Sequence, residues 1–110
     1  MSANENSLYE ALVLEDDEPQ RELSKDMLEM KAGVEVETAE SVDQVGSFDY
    51  DLVITDYSGV DVEAVYEKAD NLIVFSGYPE DSVDVPEEAE YVQKGPGYDE
   101  LAREVEQQLP

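Results

Sequence analysis

Short apolar runs of about four residues recur along the chain, and the polar stretches between them are long enough to hold a helix. The clearest run is Leu52-Val53-Ile54-Thr55, and similar runs occupy Ala11-Leu12-Val13-Leu14 and Leu72-Ile73-Val74-Phe75. Runs this short, and apolar or β-branched throughout, are typical of strands buried on both faces of a parallel sheet. They therefore favour a fold of the α/β class.

The segments between these runs complete an alternating pattern. Two further strands are predicted at 34–38, where apolar and polar residues alternate, and at 91–93. Helices are predicted from Pro19 to about Lys31, where Leu23, Met27 and Met30 repeat at helical spacing, and over 59–69 and 98–109. A short helix with Val42 and Val45 inward is predicted over 41–46, whereas the Pro-rich 78–89 segment is predicted to be mostly loop.

Strands and helices thus alternate five times, which predicts a parallel sheet with helices on both faces and right-handed crossovers. We expect one domain over residues 8–110, preceded by a flexible tail at 1–7. No internal repeat or linker divides the chain.

The composition excludes several classes of partner and of catalytic site. Thirty Asp and Glu face six Lys and Arg, for a net charge of -24, so nucleic acid and anionic membranes are poor partners. Such acidity is typical either of disorder or of a folded domain from a high-salt cytoplasm, and the periodic apolar clusters favour the second.

The chain has no Cys and no His, which excludes disulfides, thiolate catalysis and imidazole bases. No apolar run approaches the roughly 20 residues that span a bilayer, and a soluble, cytoplasmic protein is expected.

Polar side chains stand where the predicted strands end. Glu15 and Asp16 follow the first strand, Asp56 the third, Ser76 closes the fourth and Lys94 follows the fifth. The carboxyl ends of parallel strands share one edge of the sheet, where ligands bind. If the first and third strands are neighbours, three carboxylates converge, and a hard cation such as Mg²⁺ would relieve their repulsion. Each residue also has an ordinary alternative role: a helix cap, a strand-end turn or a solvated surface charge.

Taken together, this set of strand ends resembles the receiver domain of two-component response regulators over about residues 9–109. The matching stretches are Leu12-Val13-Leu14-Glu15-Asp16-Asp17-Glu18-Pro19, Asp51-Leu52-Val53-Ile54-Thr55-Asp56, Val74-Phe75-Ser76-Gly77-Tyr78-Pro79 and Tyr91-Val92-Gln93-Lys94. The resemblance implies a doubly wound, flavodoxin-like sheet with strand order 2-1-3-4-5.

The resemblance also implies roles for these residues. Asp56 matches the phosphoacceptor, which takes a phosphoryl group from a sensor histidine kinase or a phosphotransfer protein. Lys94 matches the cation on the phosphoryl group, Ser76 the switch hydroxyl, and Tyr91 the aromatic that swings in behind it. With no output domain in this sequence, the receiver would signal by docking on a downstream effector or by passing the phosphoryl group on. It would assist its own phosphorylation and dephosphorylation without being an enzyme in the usual sense.

The implied Mg²⁺ ligands are Asp16 directly, Glu15 through water, Asp56, and the backbone carbonyl of Ser58. The register leaves two choices for the acidic pair, Glu15 with Asp16 or Asp16 with Asp17. The resemblance implies the first, because members of the family place the pair directly after the strand and an Arg-Glu-Leu step a fixed distance later, which Arg21-Glu22-Leu23 matches.

The chain departs from the pattern of the family in its shortened loops. Little sequence separates Ser76 from Lys94, and Pro79 and Pro86 lie within it, so a reduced fourth helix is expected. This shortening supports an alternative, a phosphorylation-independent interaction module on the same fold. A Mg²⁺ phosphatase is disfavoured, because Ser58 stands where such enzymes favour a second Asp.

Overall fold

The computed structural model describes residues 9–95 and 97–109, which form a five-stranded, all-parallel sheet. Its strands are β1 (Glu10–Leu14), β2 (Glu35–Ala39), β3 (Leu52–Thr55), β4 (Leu72–Ser76) and β5 (Glu90–Gln93). Their order, β2-β1-β3-β4-β5, confirms the expected α/β fold with flavodoxin-like topology. The tail expected at residues 1–7 lies outside the described residues.

The first helix, α1 (Glu18–Lys31), has a clear physical start and stop. The side chain of Asp17 caps its N-terminus by accepting from the amide of Gln20 at 3.1 Å, and Gly33 follows its end with a φ of 70°. The apolar repeat predicted this helix correctly but did not identify its inner face. Ser24 and Leu28 are buried, whereas Leu23 and Met30 are 44% and 66% exposed.

The other helices are α2 (Val62–Lys68) and α3 (Asp99–Gln108). The sequence pattern predicted that α2 starts at residue 59, whereas the helix starts at Val62. It starts there because the carboxylate of Asp61 caps its N-terminus by accepting from the Ala64 amide at 3.2 Å. None of the helices in the described part of the chain has the length and apolar character needed to cross a membrane.

Two connections hold only short 3₁₀ turns. The helix predicted over 41–46 is a single 3₁₀ turn at Val42–Gln44. Val42 and Val45 pack partly buried against the core, as expected. Between β4 and β5 the chain forms only the 3₁₀ turn Glu80–Ser82, which confirms the reduced fourth helix.

The core is divided into two layers, one on each face of the sheet. Alternate residues of a strand point to opposite faces, so Val13 of β1 belongs to one layer and Leu12 to the other. Helices α1 and α3 cover the first layer with residues such as Leu28 and Val105. Helix α2 covers the second with Val62 and Val65. The sheet is therefore doubly wound, and its central strands are covered on both faces.

The pairing of the strands sets the level at which each one ends. Leu14, the last residue of β1, lies opposite Thr55, the last residue of β3. Ser76, the last residue of β4, lies opposite Gln93 of β5. Residues that follow these positions therefore leave the sheet along the same edge.

Candidate functional site

Three carboxylates meet at the carboxyl edge of β1 and β3. The amide of Asp56 donates to the carbonyl of Leu14 at 2.9 Å, which extends the β1–β3 ladder by one step and brings the following acids side by side. Oxygens of Glu15, Asp16 and Asp56 lie within 4.8 Å of one another. Glu15 and Asp56 are only 5% and 9% exposed, whereas Asp16 faces solvent. The convergence expected from the strand ends is therefore present.

The structure distinguishes the two possible acidic pairs by position. The Asp17 carboxylate is turned away to cap α1, where it accepts from the Gln20 amide. Glu15 and Asp16 are the two acids beside Asp56. The geometry therefore favours Glu15 with Asp16.

Lys94 is the cation at the centre of this cluster. Its Nζ donates to Oε1 of Glu15 at 3.2 Å and lies 3.7 Å from Oδ1 of Asp56. Its amide donates to the carbonyl of Ser76 at 2.7 Å, and its ammonium stands 5.5 Å from the centre of the Phe75 ring. The pairing of β4 with β5 thus carries the lysine to acids that come from β1 and β3. One ammonium against three carboxylates leaves the cluster with a negative charge.

Burial raises the pKa of the Glu15 carboxyl. Desolvation raises the pKa of its carboxyl, the negative charge of Asp56 raises it further, and Lys94 opposes both effects. The carboxylate also accepts from the Asp17 amide at 3.3 Å, and Arg21 donates to the Glu15 backbone carbonyl at 2.9 Å. Glu15 is therefore held in place from both sides, in a position where its negative charge is costly.

The Asp56 carboxylate is fixed at both of its oxygens. Oδ2 accepts from the amide of Gly59 at 3.2 Å, which closes a tight turn, while Oδ1 faces Lys94. The hydroxyl of Thr55 donates to the Asp56 carbonyl at 2.9 Å. The turn and the lysine thus each contact one oxygen of the carboxylate, beside the other two acids.

The remaining site residues expected from the sequence lie around this centre. Ser76 is 1% exposed, and its Oγ accepts from the Tyr78 amide at 3.3 Å. Tyr91 is half-buried, with its hydroxyl donating to the carbonyls of Tyr78 and Ser76. Ser58 lies exposed in the turn after Asp56, and the use of its carbonyl as a ligand stays a prediction.

The cluster has the donor set of a hard cation. All of its ligand atoms are carboxylate oxygens, which suit Mg²⁺, Ca²⁺ or Mn²⁺ better than softer metals. Glu15, Asp16 and Asp56 could hold a metal ion, and the space above Gly59 is taken up by the Asp16 carboxylate.

Sequence reasoning missed two contributors to the site. Gly59 supplies an amide to Asp56 and space to Asp16, and Arg21 braces the backbone of Glu15. The signal for Gly59 was present, because an Asp followed closely by Gly at a strand end is typical of a side-chain-closed turn. No local signal identifies Arg21 as a partner of a carbonyl six residues earlier.

Comparisons with known proteins add no family. A scan against models of known protein families finds no match, and a search of curated proteins finds none either. What the chain does has therefore to be inferred from the chemistry of its strand ends.

Substituting Glu15 with Gln should stabilise the metal-free protein while weakening metal binding. The change removes a buried negative charge beside Asp56 but keeps an oxygen that can accept from Lys94, so we expect a gain of about 1 kcal/mol in unfolding free energy at neutral pH. Losing the long contact with the Asp17 amide offsets only part of this gain. The affinity of the cluster for a hard cation, tested with Mg²⁺, should fall about tenfold, as for other groups that support a bound metal. Thermal melts and Mg²⁺ titrations measure both effects.

The raised pKa of Glu15 gives this prediction a pH dependence. Glu15 binds its proton more tightly in the folded than in the unfolded protein, so protonation removes the free-energy cost of burying the negative charge. The stabilising effect of Glu15→Gln should therefore shrink as the pH falls through the pKa of Glu15. Glu22→Gln, at an exposed position of α1, is the matched control and should show neither effect in high salt, where repulsion between exposed acids is screened. A metal-free Glu15→Gln protein that is less stable than wild type at neutral pH would contradict the prediction.

Proposed function

We propose that this chain is a Mg²⁺-dependent phosphoacceptor of the receiver type, with Asp56 as the residue that takes the phosphoryl group. The observation that carries the proposal is the setting of Asp56. It is a nearly buried carboxylate at the end of a central strand, with two further acids and a lysine beside it. A structural Asp cap needs no such surroundings, because a single amide satisfies it.

The chemistry needs little beyond what these residues supply. A carboxylate oxygen of Asp56 attacks the phosphorus of a phosphohistidine and forms an acyl phosphate. The bond between phosphorus and the imidazole nitrogen breaks, and the histidine leaves with the electron pair. Phosphoryl transfer depends chiefly on positioning and charge neutralisation, so the absence of His from the acceptor is no obstacle.

Glu15, Asp16 and Asp56 are the residues that would hold the metal, with the Ser58 carbonyl as a further ligand. When bound, Mg²⁺ supplies positive charge to the phosphoryl oxygens. Lys94 would neutralise another oxygen, and its ammonium already stands 3.7 Å from Oδ1 of Asp56. Its present hydrogen bond to Glu15 keeps it extended across the site.

Ser76 and Tyr91 are the proposed switch. The Ser76 hydroxyl would donate to a phosphoryl oxygen, and Tyr91 would move inward as that hydroxyl turns. In the described conformation the Tyr91 hydroxyl donates to the carbonyls of Ser76, the last residue of β4, and of Tyr78 in the following loop. Phosphorylation would thereby change the surface to which a downstream effector binds. The phosphoryl donor would be a sensor histidine kinase or a phosphotransfer protein.

The direct test is phosphorylation by acetyl phosphate in high salt. Wild-type protein with Mg²⁺ should gain one phosphoryl group, detected as a mass increase of the intact protein, and removal of Mg²⁺ with a chelator should abolish the gain. Asp56→Asn should abolish it as well, because the amide oxygen is a poor nucleophile. The control is Asp26→Asn, at an exposed position of α1, which should be phosphorylated like wild type.

Failure of the wild-type protein to become phosphorylated, with its circular dichroism spectrum intact, would overturn the proposal. The loop that replaces a helix between β4 and β5 favours one alternative, an interaction module that does not need phosphorylation. In that case Asp56→Asn would bind the partner of the protein as wild type does, whether or not a phosphodonor is present.

A further inference from the structure

The Asp16 carboxylate lies directly over the backbone of Gly59. A Cβ atom built on Gly59 would stand 2.3 Å from Cγ of Asp16, and 2.3 and 2.5 Å from its two oxygens. Real Cβ atoms essentially never make contacts shorter than 3.0 Å. An Asp16 carboxylate in this position is therefore compatible only with glycine at position 59.

The backbone conformation does not explain this glycine. Gly33 is the only glycine with a positive φ among the described residues, so position 59 has a conformation that other residues can adopt. The hydrogen bond from the Gly59 amide to Oδ2 of Asp56 does not explain it either, because alanine keeps that donor. What glycine provides at this position is space for the carboxylate of Asp16, which follows β1.

We infer that Gly59 is a positioning residue, whose missing side chain allows the Asp16 carboxylate to stand beside Asp56. The inference rests on the proposed function, since it assigns Gly59 a part in metal binding. It joins two turns that the chain keeps far apart in sequence, one after β1 and one after β3. The Gly59 amide holds one acid, and its bare Cα admits the other.

The position separates stability from function. Asp16 is exposed, and its carboxylate is the free end of a short side chain, so it can turn into solvent when a methyl group takes its place. That movement costs the fold little. It costs the site a ligand, because the cluster depends on oxygens that lie within 4.8 Å of one another. A purely structural glycine would show the reverse, a loss of stability with an unchanged site.

The test is Gly59→Ala, with Gly77→Ala as the matched control. Gly77 also lies exposed just after a strand at this edge, but a Cβ atom there would meet nothing within 4 Å. We expect Gly59→Ala to keep a thermal melting temperature close to that of wild type and to lose about 10- to 100-fold in Mg²⁺ affinity, measured by calorimetry. Gly77→Ala should retain wild-type affinity.

A second comparison tests whether the effect passes through Asp16. In an Asp16→Asn background, which already lacks the charged ligand, Gly59→Ala should cause little further loss of Mg²⁺ affinity. An equal loss in both backgrounds, or unchanged affinity in Gly59→Ala alone, would overturn the inference and leave the proposed function standing. Absence of Mg²⁺ binding to the wild-type protein would overturn both.

Discussion

Replacing Lys94 with methionine should destabilise the protein by about 3 kcal/mol at neutral pH and abolish phosphorylation. Methionine keeps most of the apolar length of lysine but removes the ammonium from two nearly buried carboxylates, those of Glu15 and Asp56. Breaking a buried ion pair at one partner typically costs roughly 3–5 kcal/mol. The low end applies here because the lysine side chain is 23% exposed and water reaches the pair. Denaturant titration and the acetyl phosphate assay measure the two losses.

Two controls identify the lost charge as the cause. Lys94 lowers the pKa of Glu15, so its removal should raise that pKa further, and the destabilisation should shrink as acid protonates the carboxyl. Adding Glu15→Gln to Lys94→Met should recover much of the lost stability but none of the phosphorylation. Lys68→Met, on the exposed end of α2, should change stability far less. An equal loss at low and neutral pH would contradict an electrostatic origin and favour a packing defect.

The sheet could be predicted from the sequence because each central strand is buried on both faces. In β1, β3 and β4, the chain has a nearly continuous apolar run and few structural alternatives. Helix ends were less predictable, since they depend on single side chains. The Asp61 cap delays the start of α2, and no periodicity in the sequence distinguishes Asp61 from neighbouring acids.

The candidate site was predictable in its members but not in its contacts. Strand order and level placed Glu15, Asp56 and Lys94 at one edge, so their proximity followed from the topology. The contact between Asp16 and Gly59 depends on how two loops cross, which no local pattern encodes. The same holds for the inner face of α1, where tertiary packing buries Ser24 and leaves Leu23 exposed.

The stability of this protein should depend steeply on salt. A net charge of -24 acts on a chain whose radius of gyration is 12.8 Å. At 0.01 M ionic strength the screening length of about 30 Å exceeds this radius, so the acids repel across the whole molecule; at 1 M it is only about 3 Å. Salt also weakens exposed ion pairs such as Lys25 with Glu29, but each is worth only about 0–1 kcal/mol. Relief of repulsion should therefore dominate, and the melting temperature should rise with KCl.

Thermal melts from about 0.01 M to well above 1 M KCl, each repeated with a neutral osmolyte, separate screening from general exclusion effects. Screening should produce most of its rise in melting temperature below about 1 M salt, because the screening length at 1 M is already about 3 Å. Stabilisation by exclusion of the salt from the protein surface instead continues to grow with concentration. A variant with Glu22→Gln, Asp26→Asn and Glu67→Gln, all at exposed helix positions, should melt higher than wild type at low salt and respond less to KCl. A melting temperature that does not change with KCl would contradict the prediction. It would mean that the dispersed acids repel too weakly to matter, and that only the buried cluster around Asp56 makes negative charge costly to this fold.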